Sequence, residues 1–190
     1  NAQQQGKAFH LSHFKRIDIL VNNAGTITRK PIVSLDGARL TEEEWHKVID
    51  TNLTSAFLCC RAVGPHMFQQ KKGKVINISS NNVQKCCTDT ISYNASKAAL
   101  CMLTRCLAVD WAPFNINVNA IGPGDFYTKL SAINHEDPQR REKMMAHIPL
   151  GRVGDVREIG LMAVYLASPA SDFITGQTLF IDGGELALSP

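Results

Sequence analysis

Short strand patterns that alternate with helical patterns constrain the fold of this chain more than any other feature. Runs rich in Val and Ile occupy 17–21, 74–79, 116–121 and 178–181. They are apolar on both faces, which is typical of strands in a parallel sheet that helices cover on both sides. The alternation therefore predicts an α/β fold built on a parallel sheet.

Capping residues and helix breakers set the limits of the helices between these strands. Thr41 with Glu44, and Asp155 with Glu158, have the spacing of capping boxes, which begin helices. A single domain is expected over 1–190, since this length is typical of one domain. We predict helices from Thr41 to about Gly73 with a kink at Gly64-Pro65, at 92–112, at 139–147 and at 155–168, and irregular segments at 81–91 and 125–137.

Composition argues against nucleic-acid and membrane partners. The chain carries a formal net charge of only +3 and its basic residues are scattered, so no patch is typical of nucleic-acid binding. No apolar run approaches the roughly 20 residues that a membrane-spanning helix needs, and the first residues lack the apolar core of a secretion signal. We therefore expect a cytoplasmic protein.

The six cysteines do not have the spacing of a zinc site. Four of them, Cys59, Cys60, Cys101 and Cys106, lie within helical patterns, where buried thiols behave as small apolar side chains. Reduced core thiols in a reducing compartment are favoured over a disulfide framework. No metal site is expected.

A serine, a tyrosine and a lysine form the most informative set of polar residues. Tyr93 and Lys97 are four residues apart at the start of a predicted helix, so their side chains lie on the same helix face. Ser80 follows the strand pattern at 74–79. A hydroxyl at a strand end that faces a phenol and an ammonium is suited to moving a proton on and off an oxygen. The same spacing also occurs by chance, on an amphipathic helix with a solvated lysine.

Three strand ends bring further polar and glycine-bearing segments together. In a parallel α/β sheet, ligands bind beyond the carboxyl ends of the strands. Those ends carry Asn22-Asn23-Ala24-Gly25, Ser79-Ser80 and Gly122-Pro123-Gly124. We therefore expect these segments to converge on one edge of the sheet.

These motifs, in this order, resemble those of short-chain dehydrogenases/reductases, and the resemblance extends over about residues 14 to 187. It implies a Rossmann-type, doubly wound parallel sheet and an enzyme that uses NAD or NADP to interconvert a secondary alcohol and a ketone. The matching positions are Asn22 to Gly25, Asn52, Ser80, Tyr93, Lys97, Asn117 to Asn119, Pro123, Gly124, Thr128, Ile174 to Gln177 and Asp182 to Gly184.

The resemblance assigns the chemical roles. Tyr93 is expected to exchange a proton with the substrate oxygen, Ser80 to hold that oxygen, and Lys97 to bond the nicotinamide ribose. The ammonium of Lys97 is expected to lower the pKa of Tyr93, which is about 10 in a free tyrosine. Asn52 is expected to anchor a water relay to Lys97, or alternatively to satisfy backbone groups at a helix kink.

The resemblance also implies the remaining cofactor contacts. Thr128 and the backbone near Phe126 are expected to bind the nicotinamide carboxamide, with a helix cap as the alternative role of Thr128. Asn22, Ala24 and Gly25 are expected to shape the cofactor pocket and to lock the first strand. The full expected cofactor site is Asn22, Ala24, Gly25, Tyr93, Lys97, Pro123, Gly124, Phe126 and Thr128.

Three segments indicate the substrate. Thr26 to Pro31, Asp89 to Ser92 and Pro149 to Arg152 resemble the sugar-acid branch of the family, in particular gluconate 5-dehydrogenase-like proteins that act on gluconate or 5-ketogluconate. Arg29 follows a strand end and could hold a substrate carboxylate through two hydrogen bonds, with a solvated arginine as an equal alternative. A 3-oxoacyl-carrier-protein reductase is the main alternative activity within the family.

The chain departs from the family at its start. Only 21 residues precede Asn22, and they contain no glycine-rich phosphate loop. Since one βαβ unit needs about 30 residues or more, the N-terminal strands of the fold are expected to be absent from this chain. That favours a longer parent protein over a naturally short enzyme. The strand at 17–21 is then expected to form an exposed apolar edge, and the choice between NAD and NADP is not encoded in these residues.

The alternative to an enzyme is a shortened, non-catalytic relative that acts in oligomer assembly. In the family, the helices that carry Asn52 and Tyr93 form an interface between subunits. We therefore expect a homodimer or homotetramer, with a small-molecule carbonyl or alcohol substrate as the other partner.

Overall fold

The computed structural model of the chain describes residues 16–188. The strands of this part of the chain form one parallel sheet in the order β1-β2-β3-β4. This confirms the predicted α/β fold with a parallel sheet. The strands are β1 (Ile19–Asn22), β2 (Gly73–Ile78), β3 (Ile116–Pro123) and β4 (Thr178–Ile181).

The helices lie between these strands. Both predicted capping boxes are present, at Thr41 with Glu44 and at Asp155 with Glu158. The helices are α1 (Glu42–Ile49), α2 (Ser55–Gln70), α3 (Ile91–Trp111), α4 (Ala132–Glu136), α5 (Pro138–Met145) and α6 (Val156–Ala167), and short 3-10 turns lie at Asn81–Val83, Ala112–Phe114, Pro169–Ser171 and Glu185–Ala187.

Two local differences separate the structure from the sequence prediction. The helical backbone continues through Pro65, as predicted, but its irregular hydrogen bonding lies earlier, in a π-helical segment at Asp50–Thr54 between α1 and α2. The segment 125–137, predicted to be irregular, contains the short helix α4. Helices of a single turn are too short to leave a periodic apolar pattern.

Helices cover both faces of the sheet, as the doubly wound prediction requires. On one face, Val75 and Val118 of the strands pack in a cluster with Met67 of α2 and Trp111 of α3. On the other face, Ile76 and Ile121 pack with Leu166 of α6. Successive strand residues point to opposite faces, so neighbouring strand positions such as 75 and 76 belong to different cores.

The surface agrees with some sequence predictions and contradicts one. Among the described residues, the edge strand β1 pairs only with β2, and it exposes Ile19 by 47% and Val21 by 46%, as predicted for an apolar edge. Cys60 is buried, as predicted, but Cys106 is exposed on α3, so the prediction of a core thiol there is wrong.

Within residues 16–188, every helix is too short or too polar to cross a bilayer.

A buried polar network attaches α3 to the strands below the expected site. The Asn77 amide donates to Thr104 Oγ1 (2.8 Å), and the Thr104 hydroxyl donates to Leu100 O (2.8 Å). Asn77 Oδ1 accepts a hydrogen bond from Asn22 Nδ2 (2.8 Å), which ties β1 to β2. Asn77 and Thr104 have no solvent exposure, so water cannot replace a lost partner.

Replacing Thr104 with Val should lower the free energy of unfolding by about 1–3 kcal/mol, because Val has the same volume but leaves the Asn77 amide unpaired. Thr104→Ser keeps the hydroxyl and should cost only about 0.8 kcal/mol for the lost methyl group. Urea denaturation of both variants measures the difference. A Val variant that is no less stable than the Ser variant would contradict this account of the network.

Candidate functional site

A cleft of about 1030 Å³ lies at the carboxyl ends of β1, β2 and β3, where the sequence predicted convergence. Its lining comes from the loops that follow these strands, from the start of α3 and from α5. The structure brings nine of the predicted site residues together there. They are Gly25, Arg29, Ser80, Tyr93, Lys97, Pro123, Gly124, Phe126 and Thr128.

Lys97 lies on the first turns of α3 and is only 4% exposed. Its Nζ donates a hydrogen bond to Ile78 O at the end of β2 (2.6 Å) and lies 5.7 Å from the ring centroid of Tyr93. Burial lowers the pKa of Lys97 to about 8, because the charged form is poorly solvated in the interior. The ammonium has three N–H donors, so donors remain for a ligand in the cleft.

Tyr93 is largely buried, and burial raises the pKa of its phenol above the usual value. The neighbouring Ser80 hydroxyl and the guanidinium of Arg29 act in the opposite direction, but they do not outweigh burial. The prediction that Lys97 brings the pKa of Tyr93 below its usual value is therefore wrong for this structure. The phenol is in its protonated form at neutral pH.

Ser80 begins the 3-10 turn that follows β2, and it is 7% exposed. Its Oγ accepts a hydrogen bond from Asn82 N (3.1 Å), and its own proton can still be donated. The preceding residue, Ser79, has a different task that the sequence did not reveal. Ser79 Oγ donates to Lys97 O (3.2 Å), which ties the end of β2 to α3.

Asn52 lies in the π-helical segment, is 1% exposed, and does not line the cleft. Its side-chain amide bonds both backbone groups of Thr26, accepting from N (2.8 Å) and donating to O (3.0 Å), and it also donates to Ser96 Oγ (2.9 Å). This geometry favours the alternative that Asn52 satisfies backbone groups, here those of the loop after β1. The water relay to Lys97 stays a prediction.

Gly25 lies beside the ammonium of Lys97 and the side-chain amide of Asn52. A Cβ at Gly25 would lie 3.7 Å from Lys97 Nζ and 3.8 Å from Asn52 Oδ1. Of the other two residues predicted in this segment, Asn22 turns towards Asn77 and ties the first strand to β2, as predicted, and Ala24 is exposed. Neither Asn22 nor Ala24 lines the cleft.

The segment after β3 folds into a local turn on the opposite side of the cleft. Phe126 O accepts from Ser131 Oγ (2.5 Å), and Thr128 N donates to the same Oγ (3.0 Å). Ser131 N in turn donates to Thr128 O (3.1 Å) in a backbone turn, but the N-cap of α4 is Ser131, so Thr128 does not cap that helix. At Gly124, a Cβ would lie 2.8 Å from Asp182 Cα, so this position needs glycine for the close approach of the two loops.

Sequence reasoning missed a polar cluster at the far end of the cleft. Glu185 accepts hydrogen bonds from Asn81 Nδ2 (2.6 Å) and from Lys85 Nζ, and its side chain is 8% exposed. Asp125 lines the cleft beside this cluster. More than a hundred residues separate Asn81 from Glu185 along the chain, so no local motif could reveal the contact.

Comparison with known proteins identifies the family. The family model described as "Enoyl-(Acyl carrier protein) reductase" matches residues 4–185. The chain belongs to the short-chain dehydrogenase/reductase family. The resemblance drawn from the motifs is thereby confirmed, as is the Rossmann-like fold.

Several members of this family are closely similar to the chain. The 5-keto-D-gluconate 5-reductase of Escherichia coli (strain K12) is 44% identical over 171 residues, which cover 90% of this chain and 65% of that protein. The 2-dehydro-3-deoxy-D-gluconate 5-dehydrogenase of Bacillus subtilis is 40% identical over 95% of this chain and 69% of its own length. The chain thus spans about two thirds of the length of these relatives.

A solved structure gives the same comparison in three dimensions. The gluconate 5-dehydrogenase from Burkholderia cenocepacia J2315, crystallised with NADP and tartrate, superimposes with a TM-score of 0.92 at 36% identity. The match covers 98% of this chain and 71% of that one. The fold described above is therefore shared with this gluconate 5-dehydrogenase.

Replacing Lys97 with Met should raise the free energy of unfolding at pH 7. The pKa of Lys97 falls from 10.5 in a free lysine to about 8 in the folded chain, so burial of the charged ammonium destabilises the folded chain by about 3 kcal/mol. The Met variant removes this destabilisation but also loses the hydrogen bond to Ile78 O, which contributes about 1 kcal/mol. This destabilisation of the parent chain is present in full below pH 8. It decreases as the pH rises towards 10.5, because the folded chain then binds fewer protons than the unfolded chain.

The advantage of Lys97→Met should therefore shrink between pH 7 and pH 9.5 in urea denaturation. Lys47→Met, at an exposed position of α1, is the matched control and should show no such pH dependence. A stability difference for Lys97→Met that stays constant over this range would contradict the burial of a charged ammonium.

Proposed function

We propose that this chain is the proton-handling part of an NAD(P)-dependent oxidoreductase that interconverts a secondary alcohol and a ketone on a sugar acid such as gluconate or 5-ketogluconate. One arrangement supports this function above all. Ser80, Tyr93 and Lys97 meet in a single cleft with Arg29, whose Nη1 is buried and makes no hydrogen bond to any of residues 16–188. The names of the relatives favour the sugar-acid substrate.

The residues around the cleft fit a nicotinamide cofactor, which supplies or accepts a hydride when it is bound. Lys97 keeps N–H donors that can bond ribose hydroxyls. Gly25 leaves room beside that ammonium. Thr128 and the backbone near Phe126 line the opposite wall, where a carboxamide would be held. NADP in two solved relatives supports a nicotinamide cofactor here.

The state of Tyr93 suits proton donation to a reduced carbonyl. Adding a hydride to a ketone carbon leaves an alkoxide, which takes the phenol proton of Tyr93. Burial raises the pKa of the phenol above its usual value of about 10, so the proton is present at neutral pH before the reaction. Ser80 lies beside the phenol and can donate a hydrogen bond to the same oxygen, which stabilises the charge that develops there.

Arg29 is proposed to hold the substrate carboxylate. A buried guanidinium N–H without a partner is costly, and a carboxylate ligand removes that cost because its two oxygens match the guanidinium fork. The positive charge of Arg29 also acts on Tyr93, which indicates that a substrate anchored there lies near the phenol. This favours a carboxylate-bearing substrate over a neutral ketone.

Replacing Tyr93 with Phe in the full-length protein should reduce turnover by a factor of about 10² to 10⁴, the usual contribution of a positioned acid or base. Tyr165→Phe, on the exposed side of α6, is the matched control and should keep its activity. Titration by nicotinamide fluorescence should show that both variants still bind the cofactor. Retained turnover in Tyr93→Phe would refute the proton-donor role, and failure of the parent protein to bind millimolar cofactor would favour a non-catalytic role.

Replacing Arg29 with Gln should raise KM for 5-keto-D-gluconate by about 10- to 100-fold, as expected for the loss of a charge-assisted bidentate contact. Arg29→Lys keeps the charge without the fork and should give an intermediate value. Arg39→Gln, on the exposed part of the same loop, controls for the change in net charge. An unchanged KM in Arg29→Gln would exclude this residue as the carboxylate anchor.

We further propose that the protein assembles into a homodimer or homotetramer through the outer faces of α2 and α3. These faces expose Phe57 by 45%, Met102 by 54% and Val109 by 75%. Exposed apolar side chains concentrated on neighbouring helices are typical of subunit interfaces. Light scattering coupled to size-exclusion chromatography tests this assembly.

A further inference from the structure

The cleft contains a carboxylate that the proposed proton transfer does not use. Asp125 directly follows the Gly124 turn at the end of β3 and lines the cleft. Its side chain makes no hydrogen bond to residues 16–132 or 135–188, whereas the neighbouring Glu185 is held by Asn81 and Lys85. Lys85, the adjacent cation, is thus already paired.

The surroundings of Asp125 leave its oxygens available to a ligand. Burial raises the pKa of this carboxyl, the charge of Glu185 raises it further, and Lys85 and His135 act in the opposite direction. A half-buried carboxylate without a bonded partner is costly unless a donor approaches it. Since an ionised carboxylate only accepts hydrogen bonds, the ligand group that suits this position is an O–H or N–H donor.

Sheet order places Asp125 and Arg29 on opposite sides of the proposed reaction centre. Arg29 belongs to the loop after β1, Ser80 follows β2, and Asp125 follows β3. Neighbouring strands are about 4.8 Å apart, so the ends of β1 and β3 are separated by roughly 10 Å. A six-carbon acid can extend from one side to the other with its carbonyl near Ser80.

We propose that Asp125 determines specificity by accepting a hydrogen bond from a substrate hydroxyl group on the side of the carbonyl away from the carboxylate that Arg29 holds, which in 5-keto-D-gluconate is the C6 hydroxyl. This inference rests on the proposed function of the cleft and deepens it. Asp125 then selects a keto acid with a hydroxyl group at this end over one with an apolar end, because an apolar end would leave the carboxylate desolvated and unpaired.

Two probes isolate the hydroxyl groups. 5-Keto-D-gluconate and 5-oxohexanoate have the same carbon chain, the same carboxylate and a carbonyl at the same carbon, but 5-oxohexanoate has no hydroxyl groups. The ratio of their kcat/KM values in the full-length protein, with NADPH or NADH, cancels any general effect of charge in the cleft. We expect the parent protein to prefer 5-keto-D-gluconate.

Asp125→Ala should lower this ratio by roughly tenfold or more, mainly through a higher KM for 5-keto-D-gluconate. Asp125→Asn preserves the shape and one acceptor oxygen and should lower it by a smaller factor, which keeps the test available if the Ala variant does not fold. Asp110→Ala, at an exposed position near the end of α3, removes the same charge and should leave the ratio unchanged.

The outcomes separate this inference from the proposed function. An unchanged ratio in both Asp125 variants would overturn the role of Asp125 while the keto-acid reductase stands. A parent protein that reduces both probes equally well would do the same. Turnover of neither probe would overturn the proposed function and the role of Asp125 with it.

Discussion

The attachment of α3 to the end of β2 is the contact on which the candidate site depends. Lys97 Nζ donates to Ile78 O, and Ser79 Oγ donates back to Lys97 O. These two bonds join one helix turn to one strand end in both directions. Because Tyr93 lies one turn before Lys97 and Ser80 directly follows Ser79, the pair fixes the phenol and the hydroxyl relative to each other. Lys97 thus holds α3 against the end of β2 in addition to carrying a charge.

Charges of both signs line the cleft and come from different elements of the fold. Arg29 belongs to the loop after β1, Lys143 to α5 and Asp125 to the loop after β3. Glu185 also lines the cleft and is paired with Lys85. A substrate with an anionic end would therefore be attracted by unpaired cations of the cleft before any contact specific to the reaction is made.

The sequence predicts the parts of this structure that depend on local or repeated patterns. Alternating strands and helices, both capping boxes and the order of the motifs give the fold and the edge of the sheet where polar residues meet. The pKa of Tyr93 was predicted in the wrong direction, because burial depends on packing that no spacing reveals. The cluster of Asn81, Lys85 and Glu185 was missed, because Glu185 lies about a hundred residues beyond the other two in the chain.

The π-helical segment between α1 and α2 has a further consequence. A π turn holds one more residue than an α turn, and each residue of a helix turns its direction by about 100°. The segment therefore resets the phase of the helix, so that Asn52 can point inward at the loop after β1 without disturbing the apolar faces on either side. A deletion of one residue here would restore an ordinary α-helix and remove the wide turn that carries Asn52, while the apolar faces of α1 and α2 would stay in register. The π-helical segment thus belongs to the architecture of the site even though none of its side chains lines the cleft.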